Sequence, residues 1–230
     1  PIRSLASHLA ERAEDCGFQV TTYESPHDPT KVNVVATIGP EDADGLILSG
    51  HMDVVPTEGQ PWDSDPFVLT ERDGRLYGRG TADMKGFIGV ALTKLAAWQA
   101  EHSRHSVLLA LSFDEEVGCL GSAALEGQIK DLPQPLPSLA WIGEPTDFQV
   151  CNLHPGHARV DIHCTGKPAH SSRPILGLNA ISMARGVIEA LENLQREWAS
   201  ETAFEDQLET PWTILNVAEI RGGSAINIVP

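Results

Sequence analysis

The chain has 230 residues, 41% of them hydrophobic, and 32 acidic side chains against 16 basic ones give a formal net charge of −16. That is enough apolar material for one substantial core, or for one core plus a smaller domain. A surface this acidic repels phosphate backbones and anionic membrane surfaces, which argues against both as partners; most of the excess is expected simply to keep the protein soluble, with a minor part available for cation binding.

Ile2, Leu5, Leu9, Ala13 and Cys16 recur at helical spacing, so the chain is expected to open with an amphipathic helix closed at Gly17. The same stretch carries charges throughout and has no apolar leader region, and no window approaches the ~20 apolar residues of a membrane span. The four cysteines, Cys16, Cys119, Cys151 and Cys164, are far apart with no CxxC pair, which indicates neither a thiolate zinc site nor a disulfide scaffold. A cytoplasmic location is the reading that fits. Pro1 is not an initiator Met and Pro230 falls within a strand-like INIVP, so the chain reads as a piece of a longer one.

A strand is expected at FQVTTY, followed by the short apolar runs VNVVATIG, GLILSG, SVLLALSF and SLAWIG, each bounded by Gly, Pro or polar residues. Runs of this kind are strands buried on both faces of a mixed, mostly parallel sheet. Between them MKGFIGVALTKLAAWQAEH has helical length and an apolar face through Phe87, Val90, Ala91, Leu95 and Trp98, completing the alternation of an α/β domain with flanking helices. Pro133, Pro135 and Pro137 make a stiff surface loop before the last of these strands. After Gly156 the pattern changes. ARVDIHCTG alternates like a half-exposed strand, and GLNAISMARGVIEALENLQREWAS is a long amphipathic helix with Ile181, Val187, Ile188, Leu191 and Leu194 inward. PWTILNVAEI is expected as another strand. The expected organisation is therefore a catalytic domain over residues 1–156 and a partial α+β domain over 157–230.

Polar residues cluster at the ends of the apolar runs. His51 and Asp53 follow GLILSG, Glu115 and Glu116 follow SVLLALSF, Glu144 follows SLAWIG, and Asp83 lies between a Gly-rich turn and a helix start. Each alone has an ordinary explanation, as a cap or a solvated pair. In an open α/β sheet, however, the carboxyl ends of strands share one edge, and four carboxylates crowded there need cations to offset their repulsion. Imidazole and carboxylate ligands without thiolate suit zinc, with cobalt or manganese as substitutes. His51 and Asp53 are two apart, so Asp53 can hold the second imidazole nitrogen. Glu115 and Glu116 are adjacent, so one can ligate while the other acts as a general base.

GHMDVVP, GRGTADMKG, FDEEVGCLGS and IGEPT follow one another in the order of the M20 metallopeptidase family, and the chain resembles that family over nearly its whole length. HPGHARVDIHCTGKPAHSSRPILGLNAI and TILNVAEIRGGSAINIVP resemble its acetylornithine deacetylase branch. The resemblance implies a zinc-exopeptidase-like fold with two zinc ions: His51 and Glu144 on one, Asp83 shared, Glu116 on the second, and Glu115 as the base that activates water. It also implies hydrolysis of an N-acyl amino acid, N2-acetylornithine first, in arginine synthesis. Succinyl-diaminopimelate desuccinylase, aminoacylase, glutamate carboxypeptidase and a non-catalytic metal-binding relative are the alternatives. The second domain would be a lid that dimerises, with His170 stabilising the oxyanion in the partner's site and Asn227 near the substrate. Ser171 and Ser172 read as capping residues. His27, His102, His105 and His163 lack spaced partners and are expected to face solvent, and His154-Pro155-Gly156 departs from the His-Lys-Gly of the branch. Family members add a late histidine to the second zinc, and no residue here maps to it, so the 230 residues alone are expected to be inactive.

Overall fold

The computed structural model describes residues 2–40, 45–101, 105–130, 132, 135–200, 208 and 210–230. His102, Pro133 and the side chain of Trp98 lie outside the described residues. The chain divides into two units, Pro1–Gln149 and Val150–Pro230, the division falling before the junction expected at residue 156.

The first unit begins with helix α1 (Ile2–Asp15), followed by strands β1 (Gln19–Glu24), β2 (Val32–Ile38) and β3 (Gly45–His51). A short hairpin, β4 (Thr70–Arg72) and β5 (Arg75–Tyr77), precedes a helical turn at Thr81–Lys85 and helix α2 (Gly86–Glu101). Strand β6 (Ser106–Ser112), helix α3 (Leu120–Ile129) and strand β7 (Leu139–Ile142) complete it. The five-stranded sheet has the order β1-β2-β6-β3-β7. β3 is parallel to β6 and to β7, whereas β2 is antiparallel to both of its neighbours, so the sheet is mixed and mostly parallel as expected.

The alternation of strand side chains divides the core into two layers. Val32, Val34 and Ala36 of β2, with Val107, Leu109 and Leu111 of β6, pack with Ala6 and Ala13 of α1 and Ile88, Ala91 and Leu92 of α2. Val35, Leu108 and Ala110 face the other way, onto Leu125 of α3. Strands covered on both faces show no polar alternation, which is why β2 and β6 read as continuous apolar runs.

Three expectations need correction. β7 is a strand but is not buried: Leu139, Trp141 and Ile142 are 64%, 58% and 59% exposed, because β7 is an edge strand that, among the described residues, has β3 as its one ladder partner. Val90, expected on the inner face of α2, is 61% exposed, and Ile88 takes the buried position instead. Residues 158–166 and 211–220 form no ladder among the described residues. Their alternating pattern suits a half-covered sheet, but a strand is defined by a paired neighbour and they have none here.

The second unit contains β8 (Ala169–His170), a 3-10 turn at Pro174–Leu176, helix α4 (Ala180–Ser200) and β9 (Ile228–Val229). β8 and β9 pair antiparallel, with His170 opposite Ile228. Val187, Ile188, Leu191 and Leu194 of α4 are half-buried and Ile181 is exposed. No residue of α4 is fully buried, since two strands of two residues present too little surface to cover a 21-residue helix.

Candidate metal centre

Register brings the polar residues of the first unit together. His51, the last residue of β3, pairs with Ser112, the last of β6, and the Met52 N–H donates to the Ser112 carbonyl at 2.8 Å. On the other side the Gly143 N–H donates to the Ser49 carbonyl at 3.1 Å, which aligns the exit of β7 with that of β3. The three parallel strands therefore release His51, Glu115–Glu116 and Glu144 at one edge. Asp83 arrives from the turn at Thr81–Lys85, where Asp83 (φ −119°, ψ 100°) and Met84 (φ −133°, ψ 26°) leave helical geometry and the peptide between them is cis. Met84 is fully buried, and its sulfur accepts from the His51 N–H at 3.2 Å, tying this turn to the end of β3.

The His51 side chain is 2% exposed. Its Nδ1 lies 3.1 Å from the Asp53 carbonyl oxygen and 3.6 Å from Asp53 Oδ1. A carbonyl can only accept, so Nδ1 carries the hydrogen. In the neutral ring Nε2 is then a lone pair, yet it faces Asp83 Oδ1 at 2.9 Å and Glu144 Oε1 at 3.9 Å. A lone pair and two carboxylate oxygens at such distances repel unless a positive species stands among them. In the metal-free protein that species is a proton. Burial alone would lower the His51 pKa, but hydrogen bonding to Asp53 and Asp83 outweighs it and raises the value to about 9. A metal ion satisfies the same arrangement.

The Asp53 carboxylate, 11% exposed, has a further task. Its Oδ1 accepts from the Glu115 N–H and its Oδ2 from the Glu116 N–H, both at 3.1 Å. Burial opposes ionisation of Asp53, but the His51 contact and these two amides hold its pKa below the ordinary carboxylate value. Asp53 thus touches the imidazole and also fixes the backbone of the Glu115–Glu116 pair. Burial, followed by the charge of Asp83, pushes the Glu116 and Glu144 carboxyls up. Such strain is what bound cations relieve.

His51, Asp83 and Glu144 offer ligand atoms that lie within 4.8 Å of one another, as do His51, Glu115 and Glu116. A nitrogen and carboxylate oxygens gathered at this spacing, with the imidazole tautomer already set, fit a zinc-type ion. Of the site residues expected in the first unit, His51, Asp83, Glu115, Glu116 and Glu144 are in these two groups, while Asp53 lies behind them on His51 and the Glu115 and Glu116 amides. His170 and Asn227 belong to the second unit and are neighbours there, the Ser171 N–H donating to the Asn227 carbonyl at 3.0 Å. His170 is exposed, and its Nδ1 accepts from the Ser172 N–H at 3.2 Å with Ser172 Oγ at 2.8 Å. The contacts of Lys31 and Asn33 with the segment around Glu115 were not anticipated. The available signal was an amide side chain inside the otherwise apolar run VNVVATI.

A mixed α/β sheet with an imidazole–carboxylate cluster at the carboxyl edge of its parallel strands is an arrangement suited to holding metal ions. The chain belongs to peptidase family M20/M25/M40, whose profile matches residues 47–211. It is 36% identical over 223 residues to an acetylornithine deacetylase of Shigella sonnei (strain Ss046), covering 97% of this chain and 57% of that protein. The chain therefore spans somewhat over half the length of that relative. Human carnosine dipeptidase 1 superposes with a TM-score of 0.54 at 25% identity, over 61% of this chain and 32% of that one. A tripeptidase from Staphylococcus aureus shares the fold with a TM-score of 0.59 at 22% identity, over 98% of this chain and 57% of that one.

Proposed function

We propose that the complete protein hydrolyses the amide bond of an N-acyl amino acid, with N2-acetyl-L-ornithine as substrate and L-ornithine and acetate as products. The observation that carries the hydrolytic reading is the buried His51 Nε2 directed at Asp83 and Glu144, an arrangement that calls for a cation. The choice of substrate is supported by the 36% identity to an acetylornithine deacetylase.

In this reading His51, Asp83 and Glu144 would hold one zinc ion, and Glu116, together with Asp83, would serve a second. When bound, such ions polarise an amide carbonyl and lower the pKa of water. The remaining steps belong to the side chains. Glu115 accepts the proton of the attacking water and delivers it to the amine nitrogen as the C–N bond breaks. Asp53, through the Glu115 and Glu116 amides, keeps that carboxylate at a constant position. His170 has its Nδ1 engaged as an acceptor from Ser172, so the hydrogen of the neutral ring sits on Nε2 and can be donated to a developing oxyanion. Asn227, beside it, contacts the substrate. In the same reading the second unit serves as a lid and dimerisation element with His170 acting in the partner's site, ornithine as product suits a role in arginine synthesis, and the location is cytoplasmic.

A second reading, hydrolysis of a dipeptide, is supported by the similarity to human carnosine dipeptidase 1. Assaying the full-length protein on N2-acetyl-L-ornithine, N-succinyl-diaminopimelate and a dipeptide panel separates these readings. Turnover of the acetylated substrate at least about tenfold above the others is expected, equivalent to ~1.4 kcal/mol in transition-state binding. Absence of acetylornithine turnover contradicts the proposal. Glu115→Ala is expected to keep its zinc and lose hydrolysis by about 100-fold or more, the usual contribution of a general base. Equal loss of metal and activity would show that Glu115 is instead a ligand.

A further inference from the structure

Asn33 is fully buried at the start of β2, flanked by Val32 and Val34. It lies on the α3 face of the sheet, where an apolar side chain would pack without any polar group to satisfy. Its side chain instead makes three hydrogen bonds. Oδ1 accepts from the Phe113 N–H at 3.3 Å, while Nδ2 donates to the Gly121 carbonyl at 2.9 Å and to Gln128 Oε1 at 3.1 Å. Phe113 and Gly121 are the two ends of the segment that carries Glu115 and Glu116.

The same two residues are joined directly by a Gly121 N–H to Phe113 carbonyl bond of 3.0 Å, so the amide of Asn33 closes the neck of a loop. The neck has no slack: a Cβ on Gly121 would stand 2.2 Å from the Phe113 oxygen and 3.0 Å from Asn33 Oδ1. Lys31, the residue just before β2, pairs with Asp114 at 2.5 Å, immediately beyond the neck. In the sheet, β6 runs between β2 and β3. The loop leaving β6 is therefore held from both sides, by Asp53 beyond β3 at its middle and by Asn33 of β2 at its ends.

We infer that Asn33 is a positioning residue for the Glu115–Glu116 pair, acting through the Phe113–Gly121 neck without touching substrate or metal. The catalytic part of this inference rests on the proposed hydrolysis. The geometric part does not. Loss of the amide leaves the buried Phe113 N–H and Gly121 carbonyl short of a partner, and such groups recover partners by rearranging the backbone that carries them.

The test uses the full-length protein with Asn33→Ala, and with Val35→Ala as a control. Val35 is buried on the same face of β2 and, among the described residues, its apolar side chain packs with Leu108, Ala110 and Leu125 and makes no hydrogen bond to the loop, so its truncation lowers stability without opening the neck. Native-state hydrogen exchange at the Glu115 and Glu116 amides is expected to accelerate about tenfold or more in Asn33→Ala and to stay within about twofold of wild type in Val35→Ala. On the hydrolysed substrate, kcat is expected to fall by about 10- to 100-fold with KM within about twofold for Asn33→Ala, and to be retained in Val35→Ala at a comparable Tm. Unchanged exchange at the two amides overturns the inference, as does an equal loss of kcat in both variants. If Asn33→Ala does not fold, Asn33→Asp replaces it: the acceptor for Phe113 is kept, the donor to Gly121 is lost, and the same shifts are expected. If the wild-type protein hydrolyses no N-acyl amino acid, the proposed function fails, while the exchange measurement still decides whether Asn33 fixes the pair.

Discussion

At the scale of single residues, His51 links protonation to metal binding. Its Nδ1 hydrogen is fixed on the Asp53 carbonyl, so proton and metal compete for the same Nε2 between Asp83 and Glu144. In the metal-free protein the His51 pKa is raised from 6.5 to about 9. Binding must displace that proton, so apparent zinc affinity is expected to weaken about tenfold for each pH unit below about 9. Competition titrations with a chromophoric chelator across this range check the slope; a flat profile would mean that Nε2 is not the ligand. The stability of the metal-free form has the opposite sign. A raised folded-state pKa contributes stability that is fully present below 6.5 and is lost as pH rises through about 9. Thermal unfolding of the stripped protein is therefore expected to show a falling Tm contribution over that window, absent in His51→Ala. The identity of His51, Asp83, Glu115, Glu116 and Glu144 as a group was legible in the sequence, because each follows an apolar run or a Gly-rich turn. The Asp53 carboxylate's grip on two amides was not, since hydrogen bonds to backbone leave no pattern in side-chain spacing.

At the scale of elements, the exit of β7 depends on a close approach. A Cβ on Gly143 would stand 2.1 Å from Cγ of Phe87, the root of that ring and not a movable tip. Gly143→Ala is expected to destabilise the protein by about 1–3 kcal/mol through overpacking. Because Glu144 follows directly, zinc affinity is expected to fall by about tenfold or more, the usual effect of disturbing a ligand's support. Isothermal titration reads the affinity, and Gly143→Ala combined with Phe87→Ala is expected to restore part of it. Strands β2 and β6 were legible because burial on both faces leaves an unbroken apolar run, and β3 because its run GLIL, although half-buried, is equally apolar. The exposure of β7 was not, since an edge strand and a central one share the same local pattern. The β4–β5 hairpin went unread although Asp73-Gly74, at φ 54° and 71°, is the dipeptide such two-residue turns favour. Helix α3 was equally hidden: Cys119, at its N-cap, makes no side-chain cap bond, and the helix contains Gly121 and Gly127. In residues 158–166 and 211–220 the alternation was clear but the ladder it implies is missing among the described residues.

At the scale of the molecule, the candidate residues divide between the two units, the imidazole–carboxylate cluster in the first and His170 and Asn227 in the second. The net charge of −16 suits an attraction for divalent cations and opposes polyanionic partners. No helix among the described residues is long and apolar enough to cross a membrane. Because the chain spans 57% of the Shigella relative, activity is to be measured on the full-length protein. The most direct test of the central claim is N2-acetyl-L-ornithine hydrolysis by that protein after metal removal and stepwise return of zinc, with metal content determined at each step. The account predicts that activity disappears on stripping, returns with zinc, and that His51→Ala neither retains the ion nor recovers. Turnover that persists without metal, or a His51→Ala variant that binds zinc and hydrolyses as wild type does, would contradict it.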